Sequence, residues 1–173
     1  MGFVHAVFNK NADSDNLSLG DMLGLWNVAR NKIIGLSTLS IYYRQAKDRE
    51  LKDLVKNGID FILSRHINRI QKVLKSKGYD FPTEQNWERK VKDDSPFVIS
   101  SVIIDDEEII MSLREIIRLT LSLEAEAIRS SSDEDIKDVL VNILDDDNKV
   151  YSAVLALQRK KNWKDFPPDL LPQ

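Results

Sequence analysis

Four stretches of this sequence repeat apolar residues at three- and four-residue steps, with turn-forming residues between them, and that pattern predicts four long helices. In the first, about 18–46, Leu19, Met22, Trp26, Ala29, Ile33 and Leu36 recur, and Ser18 with Asp21 three residues on has the form of a capping box. The second begins at Asp48 and carries Leu51, Val55, Ile59, Ile62, His66, Ile70 and Val73 to a stop at Lys77-Gly78, where glycine can adopt the left-handed turn that ends a helix. Gly58 inside it costs about 1 kcal/mol against Ala, which predicts a closely crossing helix there. The third opens with IDDEEII, whose acids suit the positive end of a helix dipole, and continues through Ile110, Leu113, Ile117, Leu121, Glu124 and Ile128. Ser132 is the expected N-cap of the fourth, with Asp135 at its third position, and the stripe reads Ile136, Leu140, Ile143, Asp147, Val150, Val154 and Leu157. Three prolines after Trp163 forbid further helix.

Helices of roughly 25 to 29 residues span about 40 Å. Short links join the first to the second and the third to the fourth, while the long stretch 78–104 joins the two pairs. It holds two prolines, a short helix that Thr83 would start, and a β-rich apolar run from Phe97 to Ile104. The expected fold is therefore all-α: a four-helix bundle, ferritin-like, of up-down pairs joined by a long crossover between helices 2 and 3. Residues 1–16 read as an N-terminal arm, 17–163 as the bundle with its crossover at 78–104, and 164–173 as a Pro-rich tail.

At 173 residues the chain is long enough to bury a core without staples. It has no cysteine, which excludes disulfides, thiolate metal sites and cysteine nucleophiles and fits a reducing compartment. The apolar run Phe3–Phe8 is too short for a signal peptide or a membrane span, and Ala6 removes a myristoylation signal. The expectation is a soluble, cytoplasmic protein. Residues 44–92 hold 13 Lys or Arg against 7 Asp or Glu, whereas 105–148 hold 4 against 14. Such halves complement each other across a pair of helical layers, or head-to-tail between copies. Nucleic acid is an unsuitable partner, since net charge is −3 and the basic stretch lacks interleaved aromatics.

His66, Glu124 and Asp147 each interrupt an apolar stripe, which makes them the candidate metal ligands. Di-iron bundles use Glu-x-x-His on two helices, and none of the nine Glu residues here is followed by His at the third position. A full di-iron site is thus absent. Counted from a turn near Ser131, Glu124 and Asp147 differ in height by roughly 13 Å, too far to share one ion. His66 and Asp147 lie at similar heights, where Asn27, Arg30 or Asn31 of the first helix could join them. A buried network of Arg30, Asp147 and His66 would leave each polar group satisfied, whereas an unpaired one costs about 1 to 3 kcal/mol. No nucleophile motif or phosphate-cradling glycine loop is present, so no catalytic residue and no cofactor is expected. Gly20 and Gly24, four apart, predict a close helix contact, and the three tryptophans predict core or edge packing.

NLSLGDMLGLWNVARNK, the later SRHINRIQKVLKSKG and the link YDFPTEQNW resemble an uncharacterised ferritin-like family of spore-forming bacteria, whose members are often provisionally labelled spore-coat proteins. The likeness covers about residues 17–90 and rests on the Leu25-Trp26 pair, the mid-helix His66 and the Pro82-containing link leading to Trp87. The chain departs from the family at Thr83–Asn86, where a second Pro and a Gly are usual, and it holds one copy of a domain that relatives often repeat in tandem. The resemblance implies a ferritin-like fold and a sporulation context, and carries no catalytic residue across.

Two functions follow as expectations. One is a non-enzymatic structural or interaction protein, self-associating as a dimer, with protein partners in a spore or coat assembly. The other is a degenerate ferritin-like metal-binding bundle with a reduced site around His66 and Asp147.

Overall fold

The computed structural model describes residues 17–79 and 104–163. Helix α1 spans Leu19–Gln45; α2, Arg49–Asn57; a π-helical segment, Gly58–Leu63; α3, Ser64–Ser76; α4, Asp106–Ser130; and α5, Glu134–Lys161. Helix α2, the π segment and α3 run on as one rod, so four rods build the bundle. The described residues contain no strand. The arm, the crossover's short helix and β-rich run, the tail and Trp87 lie outside the described residues.

The helix starts follow the local chemistry. Ser18 and Asp21 form the reciprocal capping box of α1, and Asp105 with Glu108 forms that of α4. Asp48 accepts from the Glu50 and Leu51 amides to start α2. Gly78, at φ 80°, closes α3. The cap of α5 is Asp133 rather than Ser132: its carboxylate accepts from the Ile136 amide, while Ser132 is drawn to Asp21.

Each end of the bundle is tied by one aspartate. Asp106 accepts the Lys47 and Asp48 amides at 2.8 and 2.9 Å, fixing the start of α4 on the α1–α2 turn. At the opposite end Asp21 accepts from the Ser131 hydroxyl at 2.5 Å and the Ser132 amide at 2.8 Å, fixing α1 on the α4–α5 turn. The predicted close contact lies beside it: a Cβ on Gly20 would stand 2.7 Å from the Ser130 carbonyl oxygen, and one on Gly24 3.3 Å from the Ala127 Cβ.

Helix α1 packs on the π segment, but the approach does not require a glycine, since a Cβ at Gly58 would meet only the Leu39 side chain of α1, in ordinary contact at 3.7 Å. Gly58 opens that segment, a widened turn in which the Ser64 hydroxyl donates to the Ile59 carbonyl at 2.9 Å. The basic rod α2–α3 and the acidic α5 are joined by Lys77–Asp133 at 2.7 Å and Arg65–Asp146 at 2.9 Å, so the opposed charge of the two halves meets within the chain.

The phase of α1 differs from the sequence expectation. Its buried face is Asp21, Gly24, Leu25, Val28, Ala29, Lys32, Leu36 and Ser40. Leu19, Leu23, Trp26 and Ile34 form a second, exposed apolar stripe on its outer side. The helix thus has two apolar faces, and the first expectation followed part of the outer one.

Candidate functional site

The core is divided by a polar layer. One apolar cluster includes Leu36, Val55, Leu63, Ile110 and Val154; the other includes Leu25, Val28, Ile70, Leu140 and Ile143. Between them each rod contributes one buried ionisable side chain: Lys32 from α1, His66 from α3, Glu124 from α4 and Asp147 from α5.

Lys32 is the hub. Its Nζ donates to Glu124 Oε1 at 2.5 Å and also to Asp147 Oδ2. Only 1% of the Lys32 side chain is exposed, and a charge so buried persists only when paired. His66 Nε2 lies 3.2 Å from Asp146 Oδ2, and its Nδ1 lies 3.5 Å from Asp147 Oδ1. The shorter contact assigns the proton of the neutral ring to Nε2, leaving Nδ1 without a donor role. Asp146 is held in turn by Arg65 at 2.9 Å and Arg69 at 3.4 Å.

Burial, and then the Lys32 charge, pull the His66 imidazole down to about 4 against the opposing pull of Asp147 and Asp146, so the ring is neutral at neutral pH. Burial pushes the Glu124 carboxyl well above the usual carboxylate range. The Lys32 ammonium opposes that rise, and the Asp147 charge adds to it. One ammonium shared by two buried carboxylates is balanced when one of them keeps its proton, and Glu124 is that one. Asp146 moves the other way: partial burial would raise it, but the His66 hydrogen bond and the Arg65 charge outweigh that and hold it low.

The structure brings His66, Glu124 and Asp147 together and corrects the expected partner. Arg30 is exposed and takes no part in the layer; Lys32, two residues on, is the cation. Lys32 falls on the face of Leu25, Val28, Ala29 and Leu36, so the spacing would have revealed it had α1 been phased on that face. Nor are Glu124 and Asp147 too far apart to share a partner. Side chains lean toward the N-terminus of their own helix, so Asp147 leans toward the α4–α5 turn and Glu124 away from it. This narrows the gap, and the long lysine stem spans the rest.

In ferritin-like bundles a metal is held by inward carboxylates and histidines of facing helices. Residues of that type are present here, but an ammonium lies among them on the same oxygens, and a divalent ion would be repelled by it. As arranged, the site does not fit a metal. Among the described residues no group of three or more His, Asp or Glu is disposed to hold one.

Three solved structures share the fold. A protein from Bacillus halodurans C-125, provisionally named a spore coat protein, superposes with a TM-score of 0.76 at 18% identity, covering 91% of this chain and 96% of its own. A two-domain protein with DJ-1/ThiJ/PfpI-like and ferritin-like domains from Anabaena variabilis ATCC 29413 gives 0.67 at 17% identity, over 95% of this chain and 46% of its own. Dps92 from Deinococcus radiodurans gives 0.57 at 12%, over 79% and 86%. No curated protein matches the chain. Among the described residues no helix is long and apolar enough to cross a membrane. The fold is the ferritin-like one of these neighbours, and because the family model for "Protein of unknown function (DUF3231)" matches residues 5–173, the chain belongs to that family.

Proposed function

We propose that this protein is a non-enzymatic structural or interaction bundle, made in the cytoplasm and deposited in a spore-coat assembly, in which a lysine ammonium replaces the interior metal of a ferritin-like fold. The observation that carries this reading is Lys32, donating to both Glu124 and Asp147 inside the bundle. An internal cation binds the helices together without any imported ion and offers no open coordination position for chemistry. The outer stripe of α1, with Leu19 74% and Ile34 55% exposed, supplies an apolar surface suited to self-association as a dimer or to a coat partner. The spore-coat setting is taken from the provisional name of the Bacillus halodurans relative.

Elemental analysis of protein purified without chelators tests the metal side of this reading, and sedimentation velocity tests the other. The expected results are no stoichiometric metal and a dimer that dissociates on Leu23→Glu. A full equivalent of metal that disappears in Asp147→Asn would overturn the first. A strict monomer at high concentration, with no binding of purified coat proteins, would overturn the second.

The degenerate metal-binding reading keeps one specific support. Glu124 Oε2 and His66 Nδ1 are buried without a hydrogen-bond partner, two atoms an ion could use were Lys32 displaced. The same elemental analysis decides it.

A further inference from the structure

On one side of the polar layer the bundle holds an apolar pocket partly open to solvent. A cavity of about 250 Å³ lies among all four rods, with Lys32 and Asp147 at one end and Val55, Leu63, Leu113 and Val154 among its apolar walls. A cavity of about 150 Å³ lined by such side chains accommodates benzene. This one has room for a larger molecule.

Three features mark it as more than a packing fault. The π segment forms part of its wall through Gly58, Ile62 and Leu63, and π turns within α-helices occur frequently at functional positions. At its rim two large apolar side chains, Ile34 and Leu119, face solvent at 55% and 60% exposure, so its border is apolar outside as well as in. Among its walls lies a neutral hydrogen-bonding pair, in which Thr120 Oγ1 donates to Asn31 Oδ1 at 3.1 Å. That leaves the threonine oxygen able to accept and the Asn31 amide NH₂ able to donate.

The charge of the residues beside Lys32 decides the ligand class. Lys32 is already balanced by the Glu124–Asp147 pair, which shares one net negative charge, so a bound anion would add an uncompensated negative charge and a bound cation would face the ammonium. Only an uncharged molecule fits without that cost.

We propose that this cavity binds a small, uncharged, largely apolar molecule of about ten non-hydrogen atoms, scaled from benzene in its smaller cavity, with one hydroxyl or carbonyl group placed at Asn31 and Thr120. The site goes beyond the structural role and does not depend on it.

The test uses the full-length protein and three probes of one shape: 1-naphthol, naphthalene and 1-naphthoate, titrated by calorimetry or by quenching of their fluorescence. The expected result is saturable binding of one equivalent of 1-naphthol, with 1-naphthoate at least about tenfold weaker. Gly35→Leu, which extends a side chain toward Leu63 where a Cβ would already stand at 3.6 Å, should abolish binding of all three. Thr120→Val should weaken 1-naphthol by about tenfold while leaving naphthalene unchanged. Circular dichroism establishes that each variant is folded, and Gly35→Ala, which fills less of the cavity, serves if Gly35→Leu is not. Absence of saturable binding, retention of it in a folded Gly35→Leu, or equal weakening of naphthol and naphthalene by Thr120→Val would each overturn the proposal.

Discussion

Lys32 Nζ stands 2.5 Å from Glu124 Oε1 across the interface of α1 and α4, two residues 92 positions apart in sequence, with both side chains essentially out of contact with solvent. Replacing the ammonium by a methyl group leaves the buried Glu124–Asp147 pair, with its one net negative charge, without a counter-charge. Lys32→Met should therefore destabilise the protein by about 3 to 5 kcal/mol. The triple variant Lys32→Met, Glu124→Leu, Asp147→Leu should recover most of that loss, because an apolar layer of similar volume needs no partners. Urea midpoints compare the two; equal loss in both would show that the charge balance is not what the layer contributes.

The same layer should give stability an unusual dependence on pH. His66 is held down to about 4 in the folded chain. Between there and its ordinary value of 6.5, the unfolded chain binds a proton that the folded one does not, so stability falls as pH falls, by about 3 kcal/mol in full. Glu124 acts with the opposite sign. Its folded value is raised, so above the ordinary 4.5 the unfolded chain has released a proton that the folded one keeps, and stability falls as pH rises. From 4.5 to 6.5 the two slopes oppose each other, and above 6.5 only Glu124 acts. Urea midpoints across pH 4 to 9 should be flat near the middle and decline on the alkaline side, and Glu124→Gln should remove the alkaline decline.

The glycines of α1 should respond in opposite directions. Gly20→Ala drives a Cβ to 2.7 Å from a backbone carbonyl oxygen and should cost about 1 to 3 kcal/mol despite alanine's better helix propensity. Gly35→Ala meets only ordinary contact with Leu63 at 3.6 Å and should gain up to about 1 kcal/mol. Thermal unfolding of both variants is the check; a stabilised Gly20→Ala would mean that the α1–α4 approach is looser than this.

Asp21 should be the most sensitive side chain at its end of the bundle. Burial would raise its carboxyl, but hydrogen bonds from Ser131 and Ser18, then from the Asp133 amide and Ser132, hold it far below the usual range. Asp21→Ala removes the α1 cap and the tether to the α4–α5 turn together and should cost about 2 to 4 kcal/mol. Hydrogen exchange should quicken around Ser131–Asp133 first, and uniform quickening along all helices would contradict the local role.

The four helices were legible because their punctuation is chemical: Ser18, Asp48, Gly78 and Asp105 each mark an end that the structure places within a residue. The candidate residues His66, Glu124 and Asp147 were legible as polar breaks in apolar stripes. Lys32 was not, because lysine is almost never fully buried and because α1 carries apolar residues on two sides, so its inner face could not be chosen from periodicity alone. The meeting of Glu124 with Asp147 was hidden by counting heights along helix axes while ignoring the lean of the side chains. The π segment has no periodic signature beyond an out-of-place glycine at 58.

That segment, Gly58–Leu63, holds one residue more per turn than the helix on either side. The rod before it and the rod after it are consequently dialled to independent angles, like two cogs on a slipped shaft. Excising a single residue there while the rod closes into ordinary α-helix would keep its two halves in register, but closing it with all its residues would rotate everything downstream by about 100°. His66 would then swing away from Asp147, and Ile67, Ile70 and Leu74 would turn out of the interior with it.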